Sequence, residues 1–385
     1  MMLKIGIDIR LIGKKRTGDE AVVFNLVKNL AKIDTQHQFE LFTDVADSGL
    51  LSEIAMMLEI SENKNFKIIS LKTQNRFSWN FWTLPRYLRK NPVDVYHTQY
   101  ITPFFVPKRI KILTIVHDIS FNFFGHLIKF SDLFFLKVLL PLSLKRADKI
   151  VGVSEFTKNE IIKYYGINEE KVAWIYNAIG EEFLSETISR EQMMRVRDEY
   201  GLPKKFILYL GTLQPRKNIP HLILAFSRIK DRIDGIKLVI CGSLEGRNSD
   251  KEKILESINN LGISNDVILP GFIEDEDKVA IFAQSHAFVF PSLYEGFGIP
   301  PLESMSQEVP VLCSDIASLK EVASDGALFF EVGNLDDFSK KLYDICMNSD
   351  LRSELIRLGK QRVGFFSWEK STSKILAIYE EMMHN

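Results

Sequence analysis

A short apolar run, a glycine-bearing loop and a helix start recur in that order along the chain, and nothing else in the sequence narrows the fold so far. Runs rich in β-branched and aromatic residues read as buried strands, and the segments after the loops repeat apolar residues at helical spacing. In the first half, strands are expected at Lys4–Ile9, Phe39–Thr43, Phe66–Ser70, Val93–His97, 111–121, Lys149–Val153 and Val172–Tyr176. A polar, charged stretch at 185–201 interrupts the pattern, and Gly201-Leu202-Pro203 follows it. The pattern then restarts with Phe206–Leu210, Lys237–Cys241, Val267–Leu269, 287–292, Pro310–Cys313 and Ala327–Glu331. Strands that alternate with helices form parallel sheets covered on both faces. The class is therefore α/β, with two doubly wound domains face to face. At 385 residues the chain has room for both. The expected boundaries are 1–185 and 186–365, and 366–385 closes the chain as an amphipathic helix.

Residues 287–303, AFVFPSLYEGFGIPPLE, are the most informative copy of the unit. An apolar strand ends in a loop carrying Glu295, Gly296 and Gly298, and Pro300-Pro301 marks a helix start. Glu303 is expected in the first helical turn. Backbone N–H groups and the positive end of the helix dipole suit an anion here. A carboxylate repels phosphate but accepts hydrogen bonds from hydroxyls. Phosphate donors beside hydroxyl acceptors describe a sugar-nucleotide site. A capped helix with two solvated glutamates is the plain alternative.

Other loops carry similar chemistry. Gly13-Lys14-Lys15-Arg16-Thr17-Gly18 is basic and precedes a segment with Val23, Leu26, Val27 and Leu30 at helical spacing. It lacks G-x-G-x-x-G, which weakens a nicotinamide reading. The 111–121 strand ends in His117-Asp118, at a carboxyl tip where open α/β sheets bind ligands. His117 can donate or accept a hydrogen bond near neutral pH, or it can be a satisfied structural histidine. His97 has a comparable position and reads as structural. After the first strand of the second half, Gly211-Thr212-Leu213-Gln214-Pro215 leads to adjacent Arg216 and Lys217. Guanidinium and ammonium side by side near a helix start can grip a diphosphate.

Charge and composition limit the classes further. The net charge is −1, so no global signal favours nucleic acid. Residues 64–149, however, hold fifteen Lys or Arg against four acids, an excess of eleven positive charges. Phe77, Trp79, Phe81 and Trp82 are interleaved with them. The 127–146 stretch is apolar and helical, but Lys129, Asp132 and Lys137 interrupt it. No apolar run reaches the roughly 20 residues needed to span a bilayer. A core helix, a solvated basic face and contact with an anionic surface all fit. The three cysteines form no close pair, which fits a reducing cytosol, and residues 1–10 do not read as a signal peptide. The seven histidines are scattered and no H-E-x-x-H occurs, so no metal site is expected.

Taken together, these motifs resemble the retaining glycosyltransferases of family 4, the group 1 enzymes akin to glycogen synthases and mannosyltransferases. The family's E-x7-E matches Glu295 through Glu303, and its basic glycine loop matches Gly13–Gly18. Its V-H-D strand end matches Val116-His117-Asp118, and V-S-x-x-T matches Val153–Thr157. Its R-K pair matches Arg216-Lys217, and P-x-x-x-E-G-F-G matches Pro291–Gly298. The resemblance implies the GT-B architecture: two Rossmann-like domains across a cleft, with the last helix crossing back to the first. It implies an acceptor-binding first domain, a donor-binding second domain, and no cofactor or metal.

The resemblance also implies residue roles. Arg216 and Lys217 neutralise the donor diphosphate, Glu303 accepts from the ribose hydroxyls, and Glu295 contacts the transferred sugar. Phe297 and Gly298 assist through their N–H groups, and His117 touches the sugar near its anomeric carbon. Gly18 approaches the donor phosphate, and Phe272 and Ile273 line the base pocket. Many relatives carry Arg where this chain has Thr212, which shifts diphosphate load to Arg216. The expected function is hexosyl transfer, with mannose from GDP-mannose favoured, to a glycan or lipid-linked acceptor in surface-polysaccharide synthesis. The expected location is cytoplasmic and peripheral on the membrane. The alternatives are a UDP-sugar donor such as UDP-glucose, a non-hydrolysing sugar-nucleotide epimerase, and a silent binding partner of another transferase.

Overall fold

A computed structural model describes residues 2–13, 18–33, 36–125, 130–185, 188–246 and 248–384, without the side chains of 130–132 and 185. The chain divides into two compact units. One comprises the described residues within 2–125, 130–177 and 367–384, and the other those within 178–366.

In the first unit, seven strands form one parallel sheet: β1 (Lys4–Asp8), β2 (Gln38–Thr43), β3 (Phe66–Ser70), β4 (Val95–Gln99), β5 (Lys111–Val116), β6 (Lys149–Gly152) and β7 (Val172–Trp174). Their order is β3-β2-β1-β4-β5-β6-β7. The order reverses between β1 and β4, where Ile7 pairs with His97. A crevice opens outside the strand ends at such a reversal, and ligands bind there. β1 and β5 are buried beyond their first residue, as a sheet covered on both faces requires, whereas the edge strand β3 is partly exposed.

The C-terminal helix Trp368–His384 belongs to the first unit and packs on the helix Asp19–Lys32 and on β5. Ile375, Ile378, Tyr379 and Met382 supply its buried stripe. Polar bonds fix its register. Tyr379 Oη lies 2.5 Å from His97 Nδ1, Ser371 Oγ donates to the Tyr176 carbonyl at 2.6 Å, and Glu380 sits 3.2 Å from His37 Nε2. Burial holds His97 neutral, with its pKa down at about 3 despite the pull of Asp8 in the other direction. His97 is thus a structural residue that ties the end of the chain to β4.

The basic and aromatic segment after β3 folds as Arg76–Ser78, a π-helical turn Trp79–Thr83 and the helix Leu84–Lys90. Trp79, one of the aromatics interleaved with the basic residues, is fully buried with Phe42, Leu84 and Tyr96, and the Arg10 guanidinium lies 4.3 Å from its ring. The wider π turn changes the angular spacing of this run, so Trp79 faces the core while Trp82 faces out. The apolar stretch near 127–146 is a helix at Phe130–Arg146, with Pro141 inside it. Residues 127–129 of that expectation lie outside the described residues.

In the second unit, six strands form another parallel sheet: β8 (Phe206–Leu210), β9 (Lys237–Cys241), β10 (Val267–Gly271), β11 (Ala287–Phe290), β12 (Val311–Ser314) and β13 (Ala327–Phe330). The order β10-β9-β8-β11-β12-β13 reverses between β8 and β11. β8, β11 and β12 are buried at every position. The ends of β8 and β9 pack so closely that only glycine fits: a Cβ on Gly242 would lie 2.1 Å from the Gly211 carbonyl oxygen.

Candidate active site

The reversal between β8 and β11 brings together the loops that carry the chemistry of the second unit. After β8 the chain turns through Gly211 into a 3-10 turn at Pro215–Lys217, then through Asn218 at φ +58° into the helix Ile219–Ser227. After β11 it runs through residues 291–298 into the helix Ile299–Ser306. The two loops are tied at the backbone. Leu293 N donates to the Arg216 carbonyl at 2.8 Å, and Arg216 Nη1 donates to the Tyr294 carbonyl at 3.0 Å.

Their charged side chains then meet. Lys217 Nζ pairs with Glu295 Oε1, Arg216 Nη1 lies 3.2 Å from Glu295 Oε2, and Lys217 Nζ also sits 4.9 Å from the centre of the Phe290 ring. Lys217 and Glu295 are both buried. Taking such ions out of water costs several kcal/mol each, and this cost is offset only by close pairing. Burial by itself would raise the Glu295 carboxyl. The charges of Lys217 and Arg216 outweigh it and hold the group down at about 2. Two cations thus stand around one carboxylate at the strand ends, fixed by the two loops. That arrangement can receive an anion without moving a charged group into place.

Gly298 caps the helix Ile299–Ser306 at φ +94°, a conformation that strains any residue with a Cβ. A Cβ there would also lie 2.6 Å from Leu319 Cδ2. Phe297 before it is buried. The helix begins at Ile299, so Glu303 is its fifth residue and not, as expected, in the first turn. The prolines enter after the first helical residue, which carries Glu303 just past the first turn. Burial, together with Glu182 and Asp275, raises the Glu303 carboxyl to about 7 against the opposing pull of Lys278. Lys278 Nζ is itself 2.5 Å from Asp275 Oδ1. Phe272 and Ile273 follow β10, two strands from β8. Phe272 is 44% exposed and can offer a ring face. Ile273 is buried, which leaves only its backbone for a ligand.

In the first unit, His117 follows β5. Its Nε2 lies 2.7 Å from Gln99 Oε1 at the end of β4, so the amide oxygen accepts and the imidazole proton sits on Nε2. Tyr100, at φ +56°, places its ring 5.5 Å from that of His117, and its hydroxyl accepts from Asp118 N at 3.3 Å. Asp118 Oδ1 accepts from Ser120 N and Oγ at 2.9 and 2.7 Å. Gly18 lies at φ +61° and precedes the helix Asp19–Lys32. Lys14, Lys15, Arg16 and Thr17, the rest of the expected basic loop, lie outside the described residues. Ser154 caps the helix Glu155–Tyr165 by accepting from Thr157 N at 3.0 Å.

Arg216, Lys217, Glu295, Phe297, Gly298 and Glu303 therefore share one pair of loops and one following helix, while His117 and Gly18 belong to the other unit. Sequence reasoning missed Gln99 as the partner of His117 and Lys278 as the neighbour of Glu303. It also missed Asp8 and Arg10 at the end of β1, whose side chains pair at 2.7 Å. Asp-Ile-Arg at a strand end was a readable signal for that pair. Gln99 and Lys278 had none, because only the sheet order and the packing bring them into place.

Two family models match the chain. Residues 16–183 match Glycosyltransferase Family 4, and residues 194–362 match Glycosyl transferases group 1. The serotype-specific mannosyltransferase WbdA of Escherichia coli is 33% identical over 225 residues, 58% of this chain and 28% of that protein. The chain thus spans less than a third of that relative. The O-antigen chain mannosyltransferase B of Escherichia coli is 29% identical over 72% of each chain. Among solved structures, Anabaena HepE in complex with UDP and glucose aligns with a TM-score of 0.75 at 14% identity, covering 98% of this chain and all of that one. This likeness establishes the two-domain GT-B fold.

Two measurements test the geometry. Lys217→Met removes the nearest countercharge of a buried carboxylate and is expected to cost about 3–5 kcal/mol in denaturant unfolding. Adding Glu295→Gln should recover a large part of that loss. Additive losses in the double variant would show that the two side chains do not interact. The second test concerns pH. The folded protein holds the Glu303 proton more tightly than the unfolded chain between pH 4.5 and about 7, so this group's contribution to stability falls as pH rises through that window. Glu303→Gln is therefore expected to gain on the order of 1–3 kcal/mol relative to wild type between pH 5 and pH 8. An unchanged difference at the two pH values would place the Glu303 pKa in the ordinary range.

Proposed function

We propose, for a chain that belongs to the family 4, group 1 glycosyltransferases, that it transfers a hexose with retention from a nucleotide-diphosphate sugar to a glycan or lipid-linked acceptor in cell-surface polysaccharide synthesis. The Arg216–Lys217–Glu295 cluster carries the reading. In the reaction, the bond between the anomeric carbon and the diphosphate oxygen breaks, and an acceptor hydroxyl oxygen bonds that carbon. The hydroxyl proton passes to the departing diphosphate. Negative charge grows on the leaving group, and cations held in place beforehand lower the barrier most where charge develops. Arg216 and Lys217 do this without a metal. Glu303 accepts from the ribose hydroxyls, whose hydrogen bonds favour its ionised form. Phe272 stacks on the base, and Gly298 keeps the loop close to the phosphates. In the first unit, His117, whose ring is oriented by Gln99, is the residue assigned to the transferred sugar, and Gly18 the one assigned to the donor phosphate.

Mannose is the favoured sugar, supported by the names of the two Escherichia coli mannosyltransferases, and GDP-mannose is the donor we propose for it. UDP-glucose is the second reading, supported by the UDP and glucose in the HepE structure. An epimerase would need acid and base carboxylates at the sugar, but Glu295 is committed to Lys217 and Arg216. Incubating the protein with GDP-mannose and UDP-glucose, with and without acceptor extract, tests the proposal. Release of nucleoside diphosphate from one donor, faster with acceptor, is expected. The Lys217→Met/Glu295→Gln variant should lose at least about 10²-fold in kcat/KM while remaining folded. Epimerised sugar on intact diphosphate would overturn the transferase assignment.

The acceptor side reads as membrane-proximal, with the enzyme peripheral on the cytoplasmic face. Among the described residues, no helix is long and apolar enough to cross a membrane. Phe77, Trp82 and Phe105 are 48%, 65% and 64% exposed around Phe81, and Phe105 is held at φ +60°. Arg76 lies over Phe135 at 4.3 Å, and Arg89 donates to the Phe105 carbonyl at 3.0 Å. Exposed rings beside cations match an anionic interface, where each Lys or Arg contributes about 1 kcal/mol. Sedimentation with vesicles of rising anionic lipid content is expected to retain the protein at low salt. Trp82→Ser/Phe105→Ser should release it. A protein that stays in the supernatant throughout would assign this face to a soluble acceptor.

A further inference from the structure

The loop from Glu295 to Gly298 is held from two directions, and one of them lies about seventy residues further along the chain. On one side Gly298 packs against Leu319 in the helix Ala317–Ala323. On the other, the Phe297 ring meets the Phe366 ring edge to face, with centroids 5.6 Å apart and planes at 87°. Phe297 and Phe366 are both buried. Arg362 joins the two sides. Its guanidinium lies 4.9 Å from the Phe366 ring centre, while Nε and Nη2 donate to the carbonyls of Val322 and Glu321 at 2.8 and 2.6 Å. Those carbonyls lie at the C-terminal end of the helix that carries Leu319, where a cation is favoured. Loop, Phe366, Arg362 and helix thus form a closed frame around Phe297 and Gly298.

We infer that Arg362 and Phe366 are positioning residues for donor binding, setting the geometry of the 295–298 loop through Phe297 without touching the donor. The inference rests on the reading of this loop as the donor site. An aromatic edge-to-face pair adds directional preference to apolar burial, and the Arg362 fork fixes where Phe366 can sit. Gly298 has no side chain of its own to anchor and its backbone is permissive, so what packs around it sets where it sits. Loosening the Phe366 side lets the loop relax. A shift of an ångström at a phosphate-binding loop is felt as lost affinity.

The test is donor saturation kinetics, with free GDP and UDP binding followed by thermal shift. In Phe366→Ala the KM for the donor should rise about tenfold and nucleotide binding should weaken in parallel, while kcat changes by less than about threefold. Phe366→Tyr keeps the ring and should return KM to within about twofold of wild type. Arg362→Lys keeps a charge but loses the fork, and should raise donor KM while acceptor KM holds. If Phe366→Ala does not fold, Phe366→Leu and Arg362→Lys carry the same comparison. Wild-type donor KM in a folded Phe366 variant overturns the brace alone. A wild-type protein that binds no nucleotide sugar overturns the donor reading and the brace with it.

Discussion

The Lys217–Glu295 ion pair, with Arg216 on the second carboxylate oxygen, is the interaction on which the second unit's site depends. It joins loops that leave β8 and β11, strands far apart in sequence and adjacent in the sheet. Each partner would be costly to bury alone, and the pair is stable because the fold delivers both to one place. Two backbone-carbonyl contacts of Arg216 and Tyr294 with the facing loop set the distance at which the charges meet. The two cations around Glu295 are therefore preorganised. A polar environment arranged before the reaction need not be reorganised during it, and this is the main source of electrostatic stabilisation at such sites.

The first unit shows the same economy of means with different chemistry. Its sheet also reverses next to β1, and Asp8, Gln99 and His117 lie at the ends of β1, β4 and β5. Below that edge, His97 and Tyr379 close the unit with the last helix of the chain. A neutral, buried imidazole bonded to a phenol makes this seam sensitive to acid, since charging His97 would place an unpaired cation in the core. The segment 367–385 is thus an integral part of the first unit's packing.

Much of the fold was legible because parallel sheets covered on both faces require continuous apolar strands. Phe66–Ser70, Phe206–Leu210 and Lys237–Cys241 appear at their expected limits. The helices Ser48–Met57, Lys251–Asn260 and Lys278–Gln284 were not anticipated, although each lies between expected strands. These helices are only seven to ten residues long, so few apolar repeats mark each of them. Trp79 shows a different limit. Its composition-level neighbours are basic and aromatic, and only the π-helical turn and the Arg10 guanidinium put it in the core.

For the site, the sequence by itself determined the kinds of group present: an Arg-Lys pair after a glycine turn, two glutamates eight apart around Gly296 and Gly298, and a histidine at a strand tip. Those follow from local spacing, because a strand, a tight loop and a helix start are specified within about fifteen residues. What only the tertiary structure decided is how the groups act on each other. Glu295 sits near 2 because β8 and β11 are neighbours and bring it two cations, whereas Glu303 rises to about 7 because burial, Glu182 and Asp275 surround it. The same residue type takes opposite electrostatic states eight positions apart. The cause is that charge–charge energies depend on through-space distance and on access to water, and neither is written in the order of residues.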